Sequence, residues 1–493
     1  MDSSNELEDA LASVFAGGNV EIREDGRRLA ALEDAQYELR GGPKPLLHLW
    51  SGESTLARRV LRVVEAGADH LRLEVQRFGR NRPGRLEIFR RSYARAKEQR
   101  AREGFAERIK EVLARQFPDE TLESIITAPD LEHTLSGSYA RGWMRRGQEA
   151  WAVVGAAPGE DVAQIDAALT CGLIWLEYLR ERAVAPIVAG LRLILPVGSC
   201  GTVAHRMSAL GSGVAVELYQ WTEDEPFARR VDPADVGNIT SRLAPRRQAE
   251  QLLGEAAEMD ARIRGLAPEA IDAVVVPGTK QVGWRFRGLE FARWSNGEVR
   301  FGLGTGRKLL SGKNGRELER LVGDLAARRQ AGGDPRDELF RAARERWLET
   351  LVLAEPTRIE PRLDPLQIYS QVPAFSAGDR GVLDLLGVTR EGRLAVVELK
   401  VEEDPQLVFQ AVDYWLRVNW HLRQGDFERY GYFQGKTLDS APPLLYLVAP
   451  CLRFHSVTGL LLRYLASEIP VCRIGLNEDW RHGLQVIERE WRA

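Results

Sequence analysis

The sequence predicts a mixed α/β (α+β) protein built from sheets flanked by helices, with one such unit duplicated and each copy preceded by a small β-rich module. Three observations carry this. Two short apolar runs, Gly381–Val388 and Leu394–Val401, flank a polar turn, TREGR, that contains Gly392, and a helical stretch follows. Runs of that length around a glycine-bearing turn predict a β-hairpin. The same order of elements recurs upstream: AVVG at 152–155 answers AVVE at 395–398, and Ile174-Trp175-Leu176 answers Tyr414-Trp415-Leu416. Before each copy lies a stretch of alternating apolar and polar residues, HLRLEVQRF with GRLEIF in one case and WRFRGLEFARW with EVRFGLG in the other. Alternation with period two is a strand signature.

Length and composition set the frame. At 493 residues the chain holds two or more domains by the usual prior. With 44% hydrophobic and 28% charged residues it has a globular composition, and a net charge of −3 excludes a polycation, so any nucleic-acid contact comes from local basic patches. Cys171, Cys200, Cys451 and Cys472 form no C-x-x-C pair and sit in apolar segments, which predicts buried free thiols in a reducing compartment. The seven histidines show no zinc-ligand spacing. An acidic N-terminus without a signal-peptide pattern, and no apolar run of spanning length, lead to the expectation of a cytoplasmic protein.

In chain order, residues 1–92 read as a short helix and a β-rich module. Its end is basic (Arg77, Arg80, Arg82, Arg85, Arg90, Arg91, Arg95, Lys97 and Arg100) with Phe78, Phe89 and Tyr93 interleaved. This is either a phosphate-contacting surface with stacking rings or a solvated face whose rings turn inward. Residues 93–222 read as the first α/β copy, opened by a helix over 92–116. Residues 223–264 read as a linker and surface helix, and 265–330 as the second β-module. GLGTGRKLLSGKNG fails as a phosphate loop, because Arg307 stands at the first glycine position and Asn314 replaces the Ser/Thr; it is a basic turn. Residues 331–493 form the second copy. Asp334 and Pro335 are placed to start a helix over 336–354.

The second copy carries the chemistry. Side chains alternate along a strand, so Glu398 and Lys400 share a face, and Asp384, fourteen residues earlier, lies near the matching height of the partner strand. Charges inside runs this apolar are costly unless paired or bound to something. Two converging carboxylates repel, and a hard cation such as Mg²⁺ relieves that. The alternative is a hairpin with a structural Glu–Lys pair.

Asp384, the E-x-K of Glu398 and Lys400, and the Q-x-x-x-Y of Gln410 and Tyr414 on the following helix together resemble the PD-(D/E)XK nuclease superfamily, in its RecB-like and NucS-like branch. Leu383 stands where the literal proline would be. The resemblance implies a restriction-endonuclease-like sheet and a Mg²⁺- or Mn²⁺-dependent nuclease acting on DNA, in repair or anti-phage defence. It implies metal ligands Asp384, Glu398 and the Leu399 carbonyl, with Lys400 orienting or deprotonating a water and Gln410 and Tyr414 positioning the phosphate. A glutamate from the preceding helix belongs near the metal, Glu349 first and Glu345 second. Both have counterparts, Glu111 and Glu107, in the upstream copy, which leaves a structural role open. Aligning AVVG with AVVE sets Gly155 on Glu398, Ala157 on Lys400 and Arg141 on Asp384, so the first copy is a pseudo-nuclease whose Arg141 is free to offset substrate phosphate. The resemblance also implies a homodimer, unless the tandem copies already form an internal pseudo-dimer. The alternative function is a non-catalytic DNA-binding or scaffold protein with an inherited fold.

Overall fold

The computed structural model describes the whole chain except residues 1–2, 17–18, 26, 34–35, 42–43, 51–54, 77–82, 131, 226, 236–240, 305, 377–381 and 493. Two compact units divide it, Met1–Ile109 and Lys110–Ala493. No helix among the described residues is long and apolar enough to cross a membrane.

The first unit is a seven-stranded antiparallel sheet, with the strand His70–Gln76 near its middle. Leu71, Leu73 and Val75 alternate inward along that strand. They meet Leu7, Leu11 and Val14 of the helix Ser3–Phe15, a spacing of four and three that lines one helical face. Of the basic stretch at its end, Arg77, Arg80, Arg82 and Phe78 lie outside the described residues. Arg85 and Arg90 are paired with Glu87 and Asp69, and Phe89 is buried.

The second unit holds three sheets. The first α/β sheet runs, in chain order, through Thr121–Ile126, Tyr139–Arg146, Glu149–Ala156, Ile187–Pro196, Ala215–Trp221 and Arg229–Val231. The second runs through Ser241–Leu243, Leu363–Ser376, Val382–Thr389, Leu394–Leu399, Leu444–Pro450, Val471–Leu476 and Val486–Trp491. From Thr121 in one and Leu363 in the other, the successive pairings are antiparallel, antiparallel, parallel, parallel and antiparallel in both. The parallel steps follow helices, Ala168–Glu181 and Leu407–Arg423, as parallel crossovers require. The segment 223–264, read as linker and helix, also lends an edge strand to each sheet, Arg229–Val231 and Ser241–Leu243.

One hydrophobic cluster joins the two sheets, running from Leu169, Leu173 and Leu176 to Val408, Ala411 and Val412. Polar contacts fix the seam. Arg206 holds Asp413 through two guanidinium nitrogens, at 3.0 and 2.7 Å, with both side chains buried. Backbone bonds from Ala466 to Ala209 and from Gly211 to Tyr464 (2.8 and 2.9 Å) frame the bridge Leu210–Leu465. The pair is self-complementary, as an isologous contact would be.

The third sheet is a five-stranded antiparallel meander from Ile271 to Leu309, covered by Leu318, Val322 and Leu325 of the helix Gly315–Arg328. Its turn at Gly288 (φ +82°) packs directly on the backbone of Arg346, where a Cβ would come within 2.3 Å of the carbonyl carbon. Only glycine meets both demands. The single helix expected over 336–354 is two, Glu338–Arg341 and Arg344–Ala354. The buried Arg329 donates to the Leu339 and Ala342 carbonyls, which a continuous helix would have used itself. Asp337, not Asp334, caps the first piece, accepting from Leu339 and Phe340. In the basic turn, Arg307 and Lys308 are paired with Glu290 and Glu317.

Candidate active site

Strand Leu394–Leu399 is buried along its whole length because it pairs on both sides, with Val382–Thr389 and with Leu444–Pro450. That explains a near-continuous apolar run. The hairpin register pairs Leu385 with Val397 and Val388 with Leu394. One step further sets Asp384 across from Glu398. The Thr389–Arg393 turn carries Gly392 at φ +97°, where a Cβ would come within 2.2 Å of the Thr437 carbonyl oxygen.

Asp384, Glu398 and Lys400 come together at the end of this hairpin. The Leu399 N–H donates to Asp384 Oδ2 at 3.1 Å. Lys400 Nζ lies 3.4 Å from Glu398 Oε1, 3.8 Å from Asp404 and 4.0 Å from Glu345. The Lys400 N–H donates to the Val448 carbonyl, so the backbone is anchored where the side chain leaves the strand. The Glu398 side chain is 3% exposed, that of Lys400 13% and that of Asp384 16%, so Glu398 is the most enclosed of the three.

The electrostatics follow from crowding. Burial, then the Asp384 charge, pushes Glu398 well above the usual carboxylate range. Burial raises Asp384 to about 6, with Glu349 adding to the rise and Arg346, the Leu399 N–H and Lys400 opposing it. For Lys400, burial acts to lower the value, but the surrounding carboxylates, Glu398 foremost, leave it above the ordinary lysine. Tyr414 is raised by burial and then by the Glu398 and Asp384 charges, and so stays a phenol. Gln410 lies one turn earlier on the same helix face, half-buried.

Glu349 lies elsewhere in the network. It is buried and ion-paired on both sides, with Arg285 of the meander at 3.0 Å and with Arg346 at 2.6 Å. Glu345, half exposed, is the glutamate of this helix beside Lys400. Their upstream counterparts Glu107 and Glu111 are exposed, so the match in sequence is not a match in environment.

Arg346 is the residue that the sequence reading passed over. Its Nη1 lies 3.4 Å from Asp384 Oδ1 and 2.6 Å from Glu349 Oε2. It stands between the two glutamates singled out on this helix, three residues before Glu349. That spacing was the available signal.

The donors fit a hard divalent cation. Asp384 and Glu398 are carboxylates, and the buried Glu398 Oε2 has no hydrogen-bond partner, which is rare for a buried polar atom. No group of three or more His, Cys, Asp and Glu side chains able to hold a metal occurs among the described residues. Asp384 and Glu398 supply the number of carboxylates that Mg²⁺ commonly takes beside its waters.

Among its described residues, the first sheet shows no such site at the matching place. Its register pairs Gly155 with Ala140 and Val154 with Arg141. The sequence alignment that set Gly155 and Arg141 on the Glu398–Asp384 pair is therefore out by one residue on one strand. The turns differ in length: two residues part the paired Arg146 and Glu149, whereas five part Val388 and Leu394, so equal spacing along the chain does not give equal register. Neither pair contains a carboxylate. Arg141 is 2% exposed, donates to the Ala128 carbonyl and lies 5.7 Å from the Trp175 ring centroid, so it does not face a substrate.

No protein-family model and no curated protein matches this chain. Among solved structures, the "Structure of EndoMS in apo form" is similar over 40% of this chain and 87% of that one, at 14% identity and a TM-score of 0.13. A likeness this slight carries no argument about activity.

Proposed function

We propose that the second sheet hydrolyses phosphodiester bonds in DNA with Mg²⁺ or Mn²⁺. The observation that carries the reading is the crowding of two buried carboxylates beside one ammonium, with one Glu398 oxygen unpartnered. Asp384, Glu398 and the Leu399 carbonyl would hold the ion. Bound there, it would supply Lewis-acid polarisation of the scissile phosphate and stabilise the leaving oxygen.

The chain's own groups do the rest. Lys400 is held as an ammonium by its carboxylate neighbours, so its first role is charge: it orients the attacking water and faces the negative charge that grows on the phosphate. Tyr414 remains protonated and serves as a donor to a phosphate oxygen, with the Gln410 amide one turn away. Asp384 is the more open of the two carboxylates. The paired sheets would give an internal pseudo-dimer, with one working half.

Cleavage of labelled DNA with Mg²⁺ by Asp384→Ala and Lys400→Ala tests this. Loss in both is expected, and cleavage at the wild-type rate would end the assignment. The alternative, a DNA-binding scaffold, draws on Arg346, a protein cation already beside Asp384. It requires metal-independent binding and no cutting by the wild type.

A further inference from the structure

Five side chains of alternating charge run from the meander to the site: Asp272, Arg285, Glu349, Arg346 and Asp384. Arg285 Nε lies 2.9 Å from Asp272 Oδ2 and its Nη1 lies 3.0 Å from Glu349 Oε1; Glu349 holds Arg346 at 2.6 Å, and Arg346 reaches Asp384 at 3.4 Å. The inner links are buried, with Arg285 3% and Glu349 1% exposed, whereas the Arg346 side chain is 35% exposed. The chain is thus anchored at the meander and open at its last cation. The Arg346 backbone is fixed as well, because the Gly288 turn packs against it. What is left to move is the guanidinium.

A guanidinium on Asp384 and a divalent ion on Asp384 compete for one carboxylate. Arg346 lies closer to Glu349 (2.6 Å) than to Asp384 (3.4 Å), so Glu349 draws it away from that competition. We propose that Arg346 is a built-in counter-cation that a divalent ion must displace from Asp384, and that Glu349, held by the meander through Arg285, sets how readily it yields. The inference rests on the metal-site reading above. It makes Arg346 and Glu349 positioning residues and gives the meander a means of setting metal affinity.

Binding of Mn²⁺ alone to the full chain, measured from the loss of the free-ion electron paramagnetic resonance signal, separates the possibilities. Arg346→Met should bind Mn²⁺ about 5- to 150-fold more tightly than wild type, the range of ordinary coupling between sites. Arg346→Lys, which keeps the charge, should stay near wild type. Glu349→Gln should bind more weakly, since Arg346 then has Asp384 as its nearer charge, while Arg285 keeps Asp272. In the Arg346→Met background, Glu349→Gln should cost less than it does in wild type, because Glu349 acts mainly through Arg346 and only in part by its own charge on Asp384. Equal or weaker binding by Arg346→Met overturns the proposal. So does an equal drop on Glu349→Gln in both backgrounds, which would make Glu349 a ligand. Arg346→Gln carries the same expectation should the methionine variant not fold. Asp384→Asn tests the underlying reading: if it leaves Mn²⁺ binding unchanged, the metal site itself is wrong and the proposal falls with it. If Asp384→Asn abolishes binding while Arg346→Met changes nothing, the site stands and the counter-cation does not.

Discussion

The two α/β sheets share one strand plan and differ in what fills the end of the hairpin. In the second, Asp384 and Glu398 crowd against Lys400 and Arg346. In the first, Arg141 turns back onto the Ala128 carbonyl and the Trp175 ring, and the pairs Gly155–Ala140 and Val154–Arg141 carry no acid. Elsewhere the two keep equivalent supports. Arg192 and Tyr446 each stand four residues before the proline that closes their strand, and each binds a glutamate just ahead of its sheet's first long strand: Glu120 at 2.6 Å and Glu360 at 2.9 Å. The plan survives with different chemistry in it. A fold is kept by packing and pairing, and a site by a few side chains laid on top.

The largest effect tests that division. On the proposed function, Asp384→Ala, which removes a carboxylate that would hold the ion, and Lys400→Ala, which removes a cation facing the charge that grows on the phosphate, should each lower DNA cleavage by about 10²- to 10³-fold. Arg141→Ala should leave cleavage per folded molecule unchanged. It should cost roughly 2–4 kcal/mol in urea denaturation, because it opens a cavity and strands a carbonyl. Loss of cleavage by folded Arg141→Ala would make the first sheet part of the working site.

The seam between the sheets comes next. Asp413→Ala leaves Arg206 buried without its carboxylate, and breaking such a pair costs roughly 3–5 kcal/mol. A loss of less than about 1 kcal/mol of unfolding free energy would mean that this ion pair adds little to the apolar and backbone contacts of the seam.

How much of this the sequence revealed depends on the range of the interaction. The hairpin was legible because period two and a glycine turn are local signals. The repeat was legible because AVVG and AVVE, and the two tryptophan stripes, are short strings. Arg346 was not, because its role depends on Asp384, 38 residues away, and on Arg285 in another sheet. The edge strands Arg229–Val231 and Ser241–Leu243 are too short to show a period. The helix break at Ala343 follows from Arg329, whose pull on two carbonyls leaves no trace in the local pattern. The one-residue slip in matching Arg141 came from the turns, since two residues part Arg146 from Glu149 and five part Val388 from Leu394, a difference that spacing along the chain does not show.

Acid–base behaviour should also separate the halves. Asp384 has a folded value near 6, above its unfolded one, so its stabilising contribution is complete below the unfolded value and is lost as pH rises through about 6. In chelator, wild type should therefore lose on the order of 1–3 kcal/mol between pH 4 and 7 relative to Asp384→Asn. Mg²⁺ should restore it at pH 7, where the carboxylates are free to bind the ion. The raised carboxylates likewise move the acid limb of cleavage up from the ordinary carboxylate range, as a property of the pair. An unchanged difference between wild type and Asp384→Asn across that range would contradict the crowding argument.

The smallest effect asks whether the halves unfold as one. Trp175 and Trp415 hold matching places on the two crossover helices, yet Trp175 donates its indole N–H to Gly142 and Trp415 donates to Pro443, each at 2.7 Å. The buried donor must be satisfied, but the acceptor is whichever carbonyl the local packing offers. Trp175→Phe and Trp415→Phe each remove one buried hydrogen bond while keeping an aromatic ring, so each should cost about 1–2 kcal/mol. Because both rings belong to one continuous core, either change should move the same single unfolding transition of residues 110–493. Two separable transitions, one sensitive to Trp175 and the other to Trp415, would show that the sheets, though packed together, fold as independent units.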